Sequence, residues 1–367
     1  MKKVPQYLLT IVAVTAAAFL LSETALNKIL TLSSYSGRNE SFSFADFYAR
    51  TASHGVARMS DDIVVVDIGD LDRAGIATLL DSLVAMQPKA VALDVFFRYP
   101  GQEGDDNLTD AVCLNDCMVL PRDATRPELG SFFYDWAEEA HFGAVNLSAG
   151  TSRDVVRTFR PVFDTENGPL EAVALVVAEQ LRPDLAVRVR ERGASSEFIR
   201  YDGVEFPIFE ADEILSGDAS VAETVCGKGV FVGDLHDLQD MHVTPVDPEM
   251  PGLLIHAKIA QTILSEKPIR QVPQWIVMLI AALVCALFVL INQLIRDHKW
   301  GKASALLTRG AQFLLMYAFF NIGYRLYVGP GLLLNFALPM MMLGLGVLAY
   351  DLIFGFYDLF TKVLRKK

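Results

Sequence analysis

The sequence predicts an α/β domain with a mostly parallel sheet, held outside a membrane that four α-helices of the same chain cross. Three observations lead to this fold class. Hydrophobic residues make up 52% of the 367 residues, which exceeds the usual share in a soluble protein. The excess lies in apolar stretches near the two ends of the chain. Between these stretches, short β-branched runs alternate with helical patterns. The predicted division is an N-terminal anchor (1–32), an extracytoplasmic α/β domain (33–273), and three helices with a short cytoplasmic tail (274–367).

The predicted membrane spans are apolar stretches close to the length of about 20 residues that crossing a bilayer requires. The first is Tyr7–Leu21, preceded by Lys2 and Lys3. This pattern also describes a signal peptide, but we expect an uncleaved anchor. The other three predicted spans are Trp275–Ile295, Ala311–Val328 and Leu332–Phe356. Only Gly329–Gly331 separates the last two, which predicts a tight hairpin.

The distribution of charge predicts the orientation of these spans. The lysine- and arginine-rich segments precede the first span, join the second to the third, and follow the fourth. Basic loops stay in the cytoplasm, so we expect cytoplasmic termini in a bacterial inner membrane, with residues 33–273 periplasmic or extracellular. This outer segment carries 40 of the 44 acidic residues against 20 basic ones. Such a charge excludes nucleic acid as a partner and would repel an anionic lipid surface.

Within the outer segment, alternating patterns predict the strands and helices one after another. Ile63–Ile68 and Ala90–Phe97 are apolar runs typical of buried strands, and the helical pattern between them stops at Pro88. A short helix follows, which Asp105 or Asp106 would cap. Later patterns predict further strands and helices, a hairpin that turns at Asp202-Gly203, and a helix that begins after Pro251 and leads to the second span.

Several local strings, taken in order, resemble the type-two CHASE family of extracellular sensory domains. These strings are FADFYAR (Phe44–Arg50), IVVVDIGD (Ile63–Asp70), AVALDVFF (Ala90–Phe97), KGVFVGDLHDLQDMHVTPVD (Lys228–Asp247) and MPGLLIHAKIAQTIL (Met250–Leu264). Three closely spaced apolar stretches follow them, as in the family. The resemblance covers nearly the whole chain and implies a sensory role.

Two departures from the family pattern qualify what this resemblance implies. Many members carry a tryptophan-proline segment ending in arginine after the first strand, whereas this chain has only DLDRAGI (Asp70–Ile76). A ligand contact from that loop is therefore not expected. Members usually continue into a cytoplasmic output domain, which the sequence up to Lys367 does not contain. We therefore expect output through a separate protein.

The expected function is that of a membrane-anchored sensor that passes the state of a ligand or partner to a separate membrane or cytoplasmic protein. The alternative is a structural or docking subunit of a bacterial envelope complex. The partners expected are the lipid bilayer, the output protein or complex subunits, and a second copy of the chain. The sequence has no glycine-rich phosphate loop and no Gly-x-Ser-x-Gly elbow. We therefore expect neither an enzyme nor a cofactor.

The predicted ligand site consists of acidic residues and a histidine at the carboxyl ends of the strands, where parallel sheets bind ligands. Its members are Asp67, Asp70, Asp94, Asp234, Asp240 and His242. Such a crevice suits a cation, an amine or a hydroxyl-rich solute. Asp67 and Asp94 are expected to be structural, because aspartates at strand ends commonly accept bonds from backbone N–H groups. Asp70 and Asp240 lie on loops and are the better ligand candidates.

Three further features of the outer segment bear on its function. The spacing of acids and histidines from Asp234 to His242 matches no standard zinc pattern, so no metal is expected. His256 is expected to be a packed histidine that makes one hydrogen bond. Cys113 and Cys117 lie four residues apart, and both a disulfide and two reduced thiols remain open.

Asp351 lies within an apolar span, where a carboxylate normally has a partner. That partner is either a basic residue of this chain or one on another protein.

Overall fold

A computed structural model describes Val12 and residues 44–55, 57–147, 154–297, 303–334, 339–340 and 343–344. The helices are α1 Phe44–Ser53, α2 Arg73–Ala85, α3 Asp105–Cys113, α4 Val173–Leu181, α5 Pro183–Arg192, α6 Ala211–Leu215, α7 Ala219–Val225, α8 Gly252–Leu264, α9 Gln274–Asp297 and α10 Ala303–Val328. The strands are β1 Arg58–Met59, β2 Ile63–Asp67, β3 Ala90–Leu93, β4 Met118–Arg122, β5 His141–Ala144, β6 Thr158–Phe159, β7 Val162–Thr165, β8 Gly168–Glu171, β9 Glu197–Phe198, β10 Val204–Glu205, β11 Ile208–Glu210, β12 Gly229–Gly233, β13 Met241–His242, β14 Met250–Pro251, β15 Arg270–Gln271 and β16 Leu332–Leu333.

The chain divides into two compact units, Ala49–Ile269 and the combination of Met1–Tyr48 with Arg270–Lys367. The first unit contains a six-stranded sheet of order β11-β2-β12-β3-β4-β5, and every pair in it is parallel. The predicted α/β domain with a mostly parallel main sheet is therefore confirmed. We expected the strand that ends near Asp94 to be a neighbour of the strand that ends near Asp67. This was wrong, because β12 lies between them.

Helices cover both faces of this sheet, which explains why its central strands are apolar throughout. On one face α2 and α3 pack against alternate residues of β2, β12, β3 and β4. On the other face α4 and α8 pack against the sheet and against each other. Gly143 permits the close approach of α4, because a Cβ at this position would lie 2.8 Å from the backbone nitrogen of Val173.

Two local predictions in this unit were wrong. The hairpin expected at Asp202-Gly203 does not form: β9 pairs with β6, and β10 pairs with β1. The cap expected for α3 is also different, because its N-cap is Gly104. Asp105 instead accepts bonds from the N–H groups of Gly101 and Gln102 and pairs with Arg73.

The second unit contains the described part of the predicted membrane segments. Of the described residues, only the stretch Gln274–Asn292 of α9 forms a helix long and apolar enough to cross a membrane. Helix α10 includes the predicted third span, and α9 packs on α10 through Val284, Phe288 and Leu315.

The remaining predictions about membrane segments fall largely outside the described residues. This is so for the first predicted span, for most of the fourth, and for Asp351. The fourth span was predicted to begin at Leu332, which is wrong, because Leu332–Leu333 forms β16 and pairs with β15. The four predicted transmembrane helices are therefore not confirmed.

Candidate functional site

The carboxyl edge of the six-stranded sheet carries a row of acidic groups. Asp67 ends β2 in register with Glu210 of β11 and Gly233 of β12. Asp94 follows β3, and Asp123 follows β4. Because the six strands are parallel, these groups lie along one edge, where open α/β sheets bind their ligands.

Asp67 holds two loops together at this edge. Its side chain is buried, and Oδ1 accepts hydrogen bonds from the backbone N–H groups of Gly69 (3.1 Å) and Leu235 (3.2 Å). The other oxygen, Oδ2, is buried without a hydrogen bond, although Nε2 of the exposed His236 lies 3.2 Å away. These contacts are those of a structural carboxylate.

Within the described ranges, Asp70 and Asp234 do not join the other predicted ligand residues. Asp70 is exposed on the turn after β2. Asp234 bends its own loop, since Oδ1 accepts a hydrogen bond of 2.7 Å from the N–H of His236. Neither geometry brings the side chain to another predicted ligand residue.

Two of the predicted residues, Asp94 and Asp240, do come together, with His242 and His256 beside them; we call these four residues the Asp94 cluster. His256 Nε2 lies 3.9 Å from Asp94 Oδ2, and His242 Nε2 lies 3.1 Å from Asp240 Oδ1. The cluster joins the end of β3, the short 3₁₀ turn Leu238–Asp240, β13 and α8.

Helix α8 begins against this cluster. Its first residue is Gly252, and a Cβ at this position would lie 2.6 Å from Asp240 Oδ1. The carboxylate of Asp240 therefore occupies the space beside the first turn of the helix, where the helix dipole favours a negative charge. His256 lies one turn further along the same face, since residues i and i+4 of a helix are neighbours.

Burial shifts the pKa values of two cluster members in opposite directions. The pKa of Asp94 is raised to about 7, first by burial and then by the negative charge of Asp240, while His242 lowers it. The pKa of His256 is lowered to about 4, chiefly by burial. Both shifts follow from the cost of placing a charge in a medium of low polarity. Near neutral pH His256 is uncharged, and Asp94 is close to its titration midpoint.

The cluster therefore suits the binding of a proton at Asp94, close to the charge of Asp240. Two buried ring nitrogens, Nδ1 of His242 and Nδ1 of His256, have no hydrogen-bond partner. Within the described ranges, no group of three or more His, Cys, Asp or Glu side chains is arranged to hold a metal ion.

His256 is the member of the Asp94 cluster that the sequence analysis did not include in the predicted ligand site. It was expected to be a packed histidine that makes one hydrogen bond, and it is buried, with a hydrogen bond to the backbone of Val145. Its Nε2 also lies 3.9 Å from Asp94 Oδ2. The signal was present in the spacing, because Gly252 and His256 are four residues apart at the start of a helix.

Cys113 and Cys117 are both free thiols in the structure, so of the two open alternatives it contains the reduced one. Cys113 Sγ donates a long hydrogen bond (3.9 Å) to the carbonyl of Phe133. Burial raises the pKa of each thiol, which makes both poor nucleophiles.

Comparison with known proteins identifies the family. The model of the CHASE2 domain matches residues 11–291, which is more than half of the chain. No curated protein and no solved structure matches the chain. The chain therefore belongs to the CHASE2 domain family, whose members are extracellular sensory domains of membrane proteins.

Proposed function

We propose that this member of the CHASE2 family is a membrane-anchored extracytoplasmic sensor that responds to a proton or cation at the Asp94 cluster. The response passes through its membrane helices to a separate protein. Family membership supports the sensory role. The apolar stretch Gln274–Asn292 supports the membrane anchor. The arrangement of four spans, with residues 33–273 outside the bacterial inner membrane, rests on the charge distribution of the sequence.

One observation carries this proposal: the Asp94 cluster includes a buried residue of α8, the helix that leads to α9. Helix α8 ends at Leu264 and α9 begins at Gln274. Eleven of the thirteen residues of α8 are buried, so this helix is packed on nearly every side. A packed helix moves as a unit when its end is displaced.

A change in the charge of Asp94 would displace the first turn of α8. When Asp94 is ionised, it repels Asp240, which raises the pKa of Asp94. When Asp94 is protonated, that repulsion ends and its hydroxyl is able to donate toward Nε2 of His256. Because Asp240 lies against Gly252, the two charge states favour different positions of the first turn of α8. A cation bound between the two carboxylates would act in the same direction as the proton.

Hydrogen–deuterium exchange of the full chain in lipid nanodiscs tests this proposal. Exchange is measured at about pH 6 and about pH 8, on either side of the Asp94 pKa of about 7, and is corrected for intrinsic rates. We expect the protection of α8 to differ between the two pH values in the wild type and in Asp70→Asn. In Asp94→Asn we expect no difference. Peptides from α5 are the internal control.

An unchanged α8 in the wild type would contradict the proposal. So would the same change in Asp94→Asn, because the titrating group would then lie elsewhere. We propose no enzymatic activity and no cofactor. The cluster contains two carboxylates and two imidazoles, and no serine or cysteine of the described residues belongs to it.

A second candidate function, a docking subunit of an envelope complex, is favoured by one surface. An open groove of about 1040 Å³ lies beside α3 and is lined by Leu114, Trp136, Asp106 and Asp110, among others. Leu114 and Trp136 are 75% and 62% exposed, which is unusual for large apolar side chains. An apolar floor with carboxylates beside it suits a basic, amphipathic segment of another protein.

Purification in mild detergent separates the two functions. If docking is the function, a partner bound to the wild type is lost when Trp136 is replaced by serine, and Asp94→Asn has no effect on it. If the protein is a sensor, the groove variant keeps the pH response of α8. A groove variant that loses neither a partner nor the response removes the docking candidate.

A further inference from the structure

Arg122 is a cationic residue at the carboxyl edge of the sheet that has no acidic partner in the part of the chain that the structure describes. It ends β4 and is half-buried. Its guanidinium lies over the ring of Phe142, with Cζ 4.1 Å from the ring centroid, and beside Tyr134 at 5.6 Å. Its Nε is buried without a hydrogen bond. No carboxylate of the described residues forms an ion pair with it, whereas Arg73, Arg190 and Arg192 each have one.

The neighbouring carboxylate, Asp123, already has hydrogen-bond partners of its own. Its two oxygens accept hydrogen bonds from Thr125, Arg126 and Asn146. These bonds hold the pKa of Asp123 well below its usual range, although burial opposes them. The charge of Asp123 is therefore balanced locally and leaves the guanidinium of Arg122 uncompensated. An uncompensated charge that is partly removed from water is costly.

A cavity lies in front of this guanidinium. Its volume is about 330 Å³, within the range of roughly 300–1,000 Å³ found for small-molecule sites. Tyr134 and Leu129 form part of its wall, and the β7–β8 hairpin contributes Asn167, Pro169 and Leu170. No member of the Asp94 cluster lines it. The cavity combines one cation with the carboxylates of Asp123 and Asp135, further polar groups, and an apolar patch formed by Leu129, Pro169 and Leu170.

We propose that this cavity, the Arg122 pocket, binds a small monocarboxylate with an apolar body. A planar carboxylate matches the fork of N–H donors on a guanidinium, and Leu129, Pro169 and Leu170 would cover the hydrocarbon part. A phosphate dianion fits less well, because Arg122 is the only cation among the described residues that line the pocket, and Asp123 and Asp135 lie on its wall. This site is separate from the sensory proposal and does not depend on it.

Binding of benzoate and of isovalerate to the full chain in detergent tests the site, by calorimetry and by the shift in Tm. Benzamide serves as the uncharged match for benzoate, and inorganic phosphate as the dianion. We expect both carboxylates to bind and to raise Tm, and benzamide and phosphate to bind at least about tenfold more weakly, since a charge-assisted bond is lost or mismatched.

Arg122→Met removes the charge and keeps a side chain that packs on Phe142. We expect carboxylate binding to weaken about 10- to 100-fold, while the Tm of the ligand-free protein stays level or rises, because an unpaired charge has been removed. Arg188→Met, at an exposed arginine, is the matched control and should bind like the wild type. A fall in the ligand-free Tm of Arg122→Met with full carboxylate binding would make Arg122 structural and overturn the site.

A second variant keeps the test decisive if Arg122→Met does not fold. Asn167 is exposed on the turn of the β7–β8 hairpin, so Asn167→Trp adds bulk to the wall without disturbing the core. We expect it to block benzoate. The proposal is overturned if Asn167→Trp binds benzoate as the wild type does, if benzamide and benzoate bind equally, or if the wild type binds neither carboxylate.

Discussion

Asp94 and His256 face each other, and burial disfavours the charged form of each side chain. The pKa of Asp94 rises from 3.8 to about 7, and that of His256 falls from 6.5 to about 4. The two shifts make the stability of the folded state depend on pH in opposite directions. The folded state loses stability through Asp94 as pH rises from about 4 to about 7, because the unfolded chain releases this proton first. It loses stability through His256 as pH falls from about 6.5 to about 4.

Asp94→Asn isolates the first of these effects. Asparagine stays neutral, so the variant should gain stability relative to the wild type as pH rises from about 4 to about 7, and the gain should stay constant above that window. We expect a total on the order of 4 kcal/mol, because each pKa unit between 3.8 and about 7 is equivalent to about 1.36 kcal/mol. It is measured as the difference in unfolding free energy between the two proteins at each pH. A difference that is flat over this window would mean that Asp94 has an ordinary pKa.

Asp67 has a structural role that a different substitution tests. Asp67→Ala leaves the N–H groups of Gly69 and Leu235 without their acceptor, and an unsatisfied buried group costs about 1–3 kcal/mol. Asp70→Ala, on the same turn but exposed, should change stability by less than about 0.5 kcal/mol. Thermal unfolding of the full chain in detergent measures both. Equal losses in the two variants would contradict the assignment.

At the residue scale, the sequence predicted which edge of the sheet carries the acidic residues, but it did not predict which of their side chains contact each other. Strand ends locate Asp67, Asp94 and Asp234 on one edge of the sheet from pattern alone. The meeting of Asp94 with Asp240 depends on the path of the loop after β12, and the sequence does not encode that path in any periodicity. The unpaired state of Arg122 is also invisible in the sequence, because it depends on Asp123 being satisfied by Asn146 from another strand end.

At the scale of elements, the start of α8 is the feature on which the proposed response depends. Gly252 leaves room for the carboxylate of Asp240, so the pair forms a steric and an electrostatic contact at once. Buried hydrogen bonds hold the rest of the helix: Ser60 donates to Gln261 at 2.6 Å, and the N–H of Arg200 donates to Thr262 Oγ1 at 2.9 Å.

A double-mutant cycle measures the contact between Gly252 and Asp240. Gly252→Ala should cost about 1 kcal/mol in the wild type, because the added methyl displaces the carboxylate. In the Asp240→Ala background the same change should cost nothing or should stabilise, since alanine is the better helix former. Thermal unfolding of the four proteins gives the coupling. Additive effects would show that the carboxylate does not lie against Gly252.

The observed strands and helices match the predicted ones where the spacing of hydrophobic residues was regular. Buried runs predicted β2, β3 and β12, and helical spacing with Pro88 and Pro251 located α2 and α8. The hairpin at Asp202-Gly203 was wrong because a turn signal cannot say which strand its flanking residues pair with. Here β9 and β10 pair with β6 and β1. The insertion of β12 between β2 and β3 is a long-range event of the same kind.

At the scale of the whole molecule, the proposed topology makes a direct prediction. A phosphatase that is active only outside the cytoplasm should be active when inserted between Gly193 and Ala194, at the exposed end of α5. It should be inactive when fused after Lys367, where a cytoplasmic fluorescent reporter should fold instead. The opposite pattern would place the Asp94 cluster in the cytoplasm and remove the basis for an extracytoplasmic sensor.

The central claim is that the charge state of the Asp94 cluster reaches α9, the helix that contains the candidate membrane span. Trp275, the second residue of α9, is 64% exposed and is a native reporter. Replacing Trp136 and Trp300 with phenylalanine leaves it as the one tryptophan of the chain. Its fluorescence in lipid nanodiscs is then followed from about pH 6 to about pH 8, around the Asp94 pKa of about 7.

We expect the emission of Trp275 to shift with a midpoint near pH 7, the same shift in Asp70→Asn, and no shift in Asp94→Asn. An emission that does not change with pH, or that changes equally in Asp94→Asn, would contradict the claim that α8 carries the state of this cluster to α9.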